Sequence, residues 1–240
     1  MSDHIVKAYD EDLAQLKTML AQMGGLVEQQ LDDAIDALYR RDTALADLVI
    51  QNDEKVDTLE HQVEEKAILT IAKRQPVARD LREIMVAIRV ASDLERIGDL
   101  AKNTAKRTHA VSEQLPRKLM AGVTRMGRMA QAELKSILDA YARSDAAMAL
   151  EVWRSDEDLD ALYNSIFREL LTYMMEDPRN ISLCTHLLFG AKNMERIGDH
   201  ATNIAENIHY LVHGKPLAEG RPKKDVTSSL RIEGFNPSDE

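Results

Sequence analysis

The 240-residue chain holds a single cysteine, Cys184, so no disulfide can form within it. A lone thiol among helix-forming neighbours reads as a small buried hydrophobe in a reducing compartment. Aromatic residues make up only 4% of the chain. With Ala, Leu, Met, Glu, Asp, Lys and Arg dominant, that scarcity favours helix over sheet. No run approaches the ~18 apolar residues that a membrane span needs. The start, Met1-Ser2-Asp3-His4-Ile5-Val6-Lys7, has no apolar stretch behind a basic one, so no secretory signal is expected. These two absences point to a soluble, cytoplasmic protein that meets a membrane only through a partner. Basic charge is short as well: 31 Lys and Arg face 41 Asp and Glu, a formal net charge of -10. That balance argues against nucleic acid or anionic lipid as a partner. The sequence also lacks a Gly-x-x-x-x-Gly-Lys phosphate loop, a Gly-x-Gly-x-x-Gly after a strand and a Ser-His-Asp order. Nothing reads as a nucleophile, and the chain is expected not to be an enzyme.

What is present is a repeat. Glu95-Arg96-Ile97-Gly98-Asp99 recurs unchanged as Glu195-Arg196-Ile197-Gly198-Asp199, 100 residues on. Met23-Gly24, Leu31, Asp42, Asp53-Glu54 and Asp57 reappear as Met126-Gly127, Leu134, Asp145, Asp156-Glu157 and Asp160, at a spacing of 103. Pro76 and Pro178 lie 102 apart, so the second copy has lost residues around its mid-repeat turn. Self-similarity over such a span marks a duplicated unit.

Each copy reads as three long helices. In the first, Leu13, Leu16, Leu20, Met23, Val27, Leu31, Ile35 and Leu38 recur at spacings of three and four, a helical stripe from about Glu11 to Tyr39. Asp42 suits the cap of a second helix, with Leu45, Leu48, Val49, Val56, Leu59, Val63, Ile68 and Ile71 apolar. Pro76 ends it near Gln75. A third helix spans about Arg79 to Thr108, with Leu81, Ile84, Ile88, Leu94, Ile97 and Ala101 facing in. After a joint at Leu115-Pro116 the pattern restarts over Arg117–Arg143, Asp145–Met175 and Ile181–Val212. The expectation is an all-α chain of two tandem pseudo-symmetric antiparallel three-helix bundles, covering 5–112 and 117–212. A Gly- and Pro-containing tail over 213–240 is expected to be disordered. Trp153, Tyr163 and Phe167 are expected to be buried.

The repeated element carries paired carboxylates. Residues four apart share a helix face, so Glu95 and Asp99, with Asn103, lie on the flank of the third helix beside the inward Leu94, Ile97 and Ala101. Glu195, Asp199 and Asn203 repeat this beside Met194, Ile197 and Ala201. The middle helices offer a matching pair, Asp53 with Asp57 and Asp156 with Asp160, at the edge of their apolar face. If these edges adjoin, each copy presents four carboxylates and an amide oxygen, donors suited to magnesium, manganese or iron. Zinc ligation by His and Cys is not supported, and the Glu-x-x-His di-iron arrangement is not matched. The competing reading is a solvated flank with counter-charges nearby: Arg96 by Asp99, Arg196 by Asp199, Lys192 by Glu195 and Arg89 by Asp93. Gly98 and Gly198, inside helices at a cost of about 1 kcal/mol each, imply close helix approach or room for a ligand.

Several segments together resemble the PhoU family over roughly residues 5–212. They are the two Glu-Arg-Ile-Gly-Asp copies, each followed by Asn103 or Asn203, and the turn Gln75-Pro76-Val77-Ala78-Arg79-Asp80-Leu81-Arg82. The lead-ins Ser92-Asp93-Leu94 and Ala191-Lys192-Asn193-Met194 complete the match. The resemblance implies a fold of two pseudo-symmetric three-helix bundles. It also implies a regulator of phosphate uptake, acting with the phosphate-specific ABC transporter and its histidine-kinase sensor. Such proteins hold phosphate-starvation genes off when phosphate is plentiful. The family's Glu/Asp-x-x-x-Asp motif maps onto Glu95 and Asp99 and onto Glu195 and Asp199, and in some members it binds clusters of iron or other metals. Lys106 stands where the second copy has Glu206, which leaves the equivalence of the two sites open.

The leading expectation is a non-catalytic signalling adaptor and negative regulator. It would be a homodimer that binds the transporter's ATPase subunit and the kinase sensor domain, with a divalent metal as modulator and no cofactor needed for catalysis. The alternative is a carboxylate-bridged metal-binding helical protein with an oxidase or storage role.

Overall fold

Six helices account for the architecture of the computed structural model, which describes residues 2–111 and 117–218. They are α1 (Ser2–Arg40), α2 (Thr43–Arg74), α3 (Arg79–Arg107), α4 (Arg117–Arg143), α5 (Ala146–Glu176) and α6 (Ile181–His213). Short 3₁₀ turns follow α3 and precede α6. The expected joint at Leu115-Pro116 and most of the tail expected to be disordered over 213–240 lie outside the described residues; at the start of that tail, His213 instead ends α6 and Gly214 caps it with a left-handed φ of 71°.

The turns follow local chemistry. Arg41 adopts a left-handed φ of 58° and its repeat mate Ser144 one of 51°. Each precedes an aspartate that caps the next helix. Asp42 accepts from the Leu45 amide at 3.0 Å, and Asp145 from the Ala147 and Met148 amides. The mid-repeat turns have diverged. Gln75 and Ala78 take φ values of 51° and 48° around Pro76, whereas Asp177 caps the Arg179 amide at 3.0 Å and lets Pro178 open a 3₁₀ turn.

α1 starts at Ser2, well ahead of the expected Glu11. Tertiary contacts anchor the point where the added turns join the expected helix. Asp12 accepts from Lys66 and Arg74 of α2 at 2.6 and 2.9 Å, and Tyr9 packs on the core. The α1 stripe from Leu16 to Leu38 is buried as expected. In α2 the buried face is narrower: Ala46, Val49, Asp53, Val56, Val63, Ala67 and Thr70. Leu48 and Ile68 fall off this face and are exposed, as is Leu81 at the start of α3. Trp153 and Tyr163 are buried and Phe167 is partly so.

α1, α2 and α3 form one bundle and α4, α5 and α6 the other, and the two share a continuous core. α1 runs antiparallel to α4 and α3 antiparallel to α6. Along the first seam Gly24 meets Leu138 and Gly127 meets Ile35; along the second, Arg89 pairs with Asn207 and Asn193 with Thr104. The two glycine contacts are repeat mates, so the halves are related by a pseudo-two-fold axis crossing both seams. α2 packs on α1 and α3, and α5 on α4 and α6, as outer flanks.

Candidate functional site

In each half the outer helix brings its aspartates against the paired acids of the third helix, so the eight predicted residues gather into two ridges of four. Asp53 lies at a core position of α2, one turn from Val49 and from Val56, and is 3% exposed. It sits deeper than the edge position expected for it, because α1 and α3 close over that face together. Gln30 of α1 donates from Nε2 to Asp53 Oδ1 at 2.8 Å and to the Gly98 carbonyl at 3.3 Å. Lys102, one turn beyond Asp99, completes the first ridge. Its Nζ donates to Asp99 Oδ1 at 2.6 Å and forms a short ionic hydrogen bond with Asp53 Oδ2. One ammonium thus ties α2 to α3. Burial opposes its charge, but the two carboxylate hydrogen bonds more than offset that and raise its pKa. Asp57 and Glu95 stand at the rim, half-buried. Partial burial and then a neighbouring acid, Asp53 for Asp57 and Asp99 for Glu95, push both upward from the usual carboxylate range.

The second ridge is deeper and chemically different. Asp156, Asp160 and Glu195 are 1%, 2% and 3% exposed. They are joined by Glu133 of α4, also buried, at the repeat position of Gln30. Thr202 stands at the repeat position of Lys102, its hydroxyl donating to the Asp199 carbonyl at 2.7 Å. Ser155 donates to Glu133 Oε1 at 3.3 Å. Lys192 reaches Glu195 Oε1 at 2.9 Å from the outer edge and lies over the Tyr163 ring. Glu195 Oε2 is buried and accepts no hydrogen bond. Burial, countered by Lys192 and reinforced by Asp199, pushes the Glu195 carboxyl up to about 7.

The glycines of the repeated motif make room for these groups. A Cβ at Gly98 would lie 3.3 Å from Gln30 Oε1 and 3.4 Å from Val56. At Gly198 it would lie 2.5 Å from Asp156 Oδ1, 2.6 Å from Leu159 and 3.3 Å from Glu133 Oε2. Asp156 and Glu133 therefore both reach the α6 backbone through the gap that the missing side chain leaves.

Other expectations are redrawn. Asn203 donates to Asp93 at 3.2 Å and so belongs to the α3–α6 seam, where His200 Nδ1 also meets Asp93 at 2.9 Å. Arg89 turns to Asn207 rather than Asp93. Arg96 approaches Glu95 at 3.5 Å, and it is Lys102 that bonds Asp99. The Lys192–Glu195 pair forms as the spacing suggests. Gln30, Lys102, Glu133 and Thr202 were not singled out from sequence. The 103- and 100-residue spacings would have flagged them, since each pair differs in charge at equivalent positions.

Chemically, the first ridge is a closed ionic clamp and does not fit a metal ion, because an ammonium already bridges its acids. The second offers hard oxygen donors, the buried Glu195 Oε2 among them accepting no hydrogen bond, and so fits a divalent cation in donor type. As placed, no group of three or more acidic, histidine or cysteine side chains among the described residues converges on a single point. No helix of the described residues is long and apolar enough to cross a membrane.

Comparison with known proteins accounts for the whole helical body. The PhoU domain matches twice, over residues 20–108 and 123–208. A Rhizobium meliloti protein named as a phosphate-specific transport system accessory protein PhoU homolog is 56% identical, over 95% of this chain and 96% of its own. A Caulobacter vibrioides protein of the same name is 52% identical, over 95% of this chain and 100% of its own. The crystal structure of PhoU from Pseudomonas aeruginosa superposes with a TM-score of 0.81 at 39% identity, covering 86% of this chain and all of that one. The phosphate transport system regulatory protein PhoU from Streptococcus pneumoniae gives a TM-score of 0.82 at 27% identity, covering 88% of this chain and all of that one.

Proposed function

Because the chain belongs to the PhoU family, we propose that it is a non-catalytic negative regulator of phosphate uptake and of phosphate-starvation signalling. It acts by binding the ATPase subunit of the phosphate ABC transporter and the sensor domain of its histidine kinase, from the cytoplasmic side and as a homodimer. A role in regulating phosphate transport follows from membership itself. The observation that carries the finer reading is end-to-end similarity, at 56% identity, to an accessory protein of a phosphate-specific transport system. A helical body with diverged turns at its ends supports a binding rather than a catalytic role, because such a body offers distinct surfaces to two partners and can shift the equilibrium of each.

A divalent cation, magnesium, manganese or iron, is the modulator in this reading. Asp156, Asp160, Glu195, Asp199 and Glu133 would hold it. When bound, it supplies positive charge that offsets their mutual repulsion and desolvation. The test of the regulator reading is deletion in the parent organism, with phosphate-responsive gene expression measured in phosphate-rich medium. Constitutive expression, reversed by the intact gene, is expected; normal repression in the deletion strain would overturn it.

A further inference from the structure

The duplication gives the α1–α4 seam two related ends, and they are finished differently. Each end holds a cavity. One, of about 470 Å³, is lined in part by Lys17, Thr18, Ala142 and Ser144. The other, of about 430 Å³, is lined by their repeat mates Met120, Ala121, Tyr39 and Arg41. Toward the second end, Arg128 of α4 reaches across the seam to α1. Its guanidinium forms short ionic hydrogen bonds with Asp32 and Asp36 and donates to Gln131 Oε1 at 2.9 Å. The mate of Arg128 in α1 is Gly25, where an added Cβ would meet nothing within 4 Å. The groups that would grip an arginine there are present in part. Asp36 recurs as Asp139, Gln131 is exchanged for the acid Glu28, and both line the first cavity. Asp32 is exchanged for Lys135, an exposed residue outside that lining.

We infer that the first cavity binds a small organic cation, a guanidinium on an apolar stem, in the place left open at Gly25. Leu20, Gly24, Leu138, Tyr141 and Leu211 supply an apolar wall for the stem. The charged groups of the lining are Lys17, Glu28, Glu83 and Asp139. Lys17 and Glu83 pair with each other at 2.7 Å. Glu28 and Asp139 remain, and among the described residues neither forms an ion pair. Glu28 belongs to α1 and Asp139 to α4, so a cation shared between them would span both halves of the chain. A planar guanidinium serves two carboxylates at once through its several N–H groups, as Arg128 does at the equivalent place. The volume falls in the range of about 300–1,000 Å³ usual for small-molecule sites, which favours a free molecule over one inserted side chain. None of these residues belongs to either acidic ridge.

Isothermal titration calorimetry on the full chain, with n-hexylguanidinium as the probe, tests the assignment. A single saturable site per chain is expected, with n-hexanol about ten-fold weaker for want of the charge-assisted hydrogen bonds and hexanoate not bound. Gly25→Arg should restore the arrangement seen at Arg128, abolishing hexylguanidinium binding and raising the melting temperature of the unliganded chain. Gly25→Ala, which stiffens the helix but leaves the mouth open, should still bind the probe. Glu28→Gln with Asp139→Asn should weaken binding about ten-fold or more, and this pair decides alone if Gly25→Arg does not fold. The absence of a saturable site, equal affinity for hexanol, or undiminished binding in folded Gly25→Arg or in the paired amide variant overturns the proposal. Tighter binding of N-acetylarginine amide than of hexylguanidinium also overturns it, since a polypeptide's arginine would then be the occupant.

Discussion

Alanine at the two motif glycines should have different consequences, although Gly98 and Gly198 occupy identical pentapeptides. Replacing a glycine inside a helix by alanine gains about 1 kcal/mol from backbone propensity. At Gly98 the new methyl would meet Gln30 Oε1 at 3.3 Å and Val56 Cγ1 at 3.4 Å, so neighbours need to give by only tenths of an ångström. The net effect there should lie between no change and a gain of about 1 kcal/mol. At Gly198 the methyl would fall 2.5 Å from Asp156 Oδ1 and 2.6 Å from Leu159 Cδ2. Those residues are 1% and 0% exposed, so neither has open space to enter. Overpacking of this kind costs about 1–3 kcal/mol, so against the propensity gain of about 1 kcal/mol the net change runs from none to a loss of about 2 kcal/mol. For a chain of this size 1 kcal/mol shifts Tm by about 2–4 °C, so mid-range values, a gain of about 0.5 kcal/mol at Gly98 and a loss of about 1 kcal/mol at Gly198, should set the two variants roughly 3–6 °C apart. Thermal melts by circular dichroism, with urea midpoints as a second measure, read this directly. Equal shifts in the two variants, or a larger loss at Gly98, would refute the claim that the second ridge is the more tightly filled.

Three further outcomes are expected. Glu195 is raised from 4.5 to about 7 on folding, so the folded chain holds this proton more tightly than the unfolded one does. The chelator-treated protein should therefore lose roughly 3 kcal/mol as pH rises from about 4.5 through 7. Glu195→Gln should flatten that part of the profile, and an unchanged difference between urea midpoints at pH 5 and pH 8 would count against it. Gly127→Ala drives a methyl to 2.8 Å from Ile35 Cγ1, which is 2% exposed, across the α1–α4 seam. It should cost about 1–3 kcal/mol, and less at Gly24, where the contact is the branched end of a partly buried Leu138; the ranking of the two melting temperatures decides. Asp145→Ala removes the acceptor for two amides, and Asp42→Ala the acceptor for one. Both should destabilise by about 0.5–2 kcal/mol, with Asp145 the larger, and a reversed order by chemical denaturation would contradict the capping geometry.

Much of the architecture was legible because helical periodicity is a local property. The stripe from Leu16 to Leu38 predicted the buried face of α1, and Asp42 and Pro76 marked the limits of α2. Burial of the acids was not legible. A spacing of four puts Asp53 beside Asp57 on one face of α2, but it does not say that α1 and α3 together close over Asp53 and leave Asp57 at the rim. Leu48, Ile68 and Leu81 illustrate the converse: apolar residues in helical register that no neighbour covers. Asn103 and Asn203 share a place in the repeat, yet Asn203 serves the seam between the halves, since Asp93 reaches it from the other repeat.

The sequence by itself determined that the chain is duplicated and helical, where its caps and breaks lie, and that each half carries four acids in register. Those features depend on backbone propensity and on contacts within a few residues. Only the tertiary structure decided that one ridge is bridged by Lys102 while the other is buried around Glu133, and that Gly24 and Gly127 key the two halves together. The physical reason is that charge balance and close packing depend on which helix arrives from elsewhere in the chain. A face can be read from spacing, whereas its occupant is settled by the helices that pack against it.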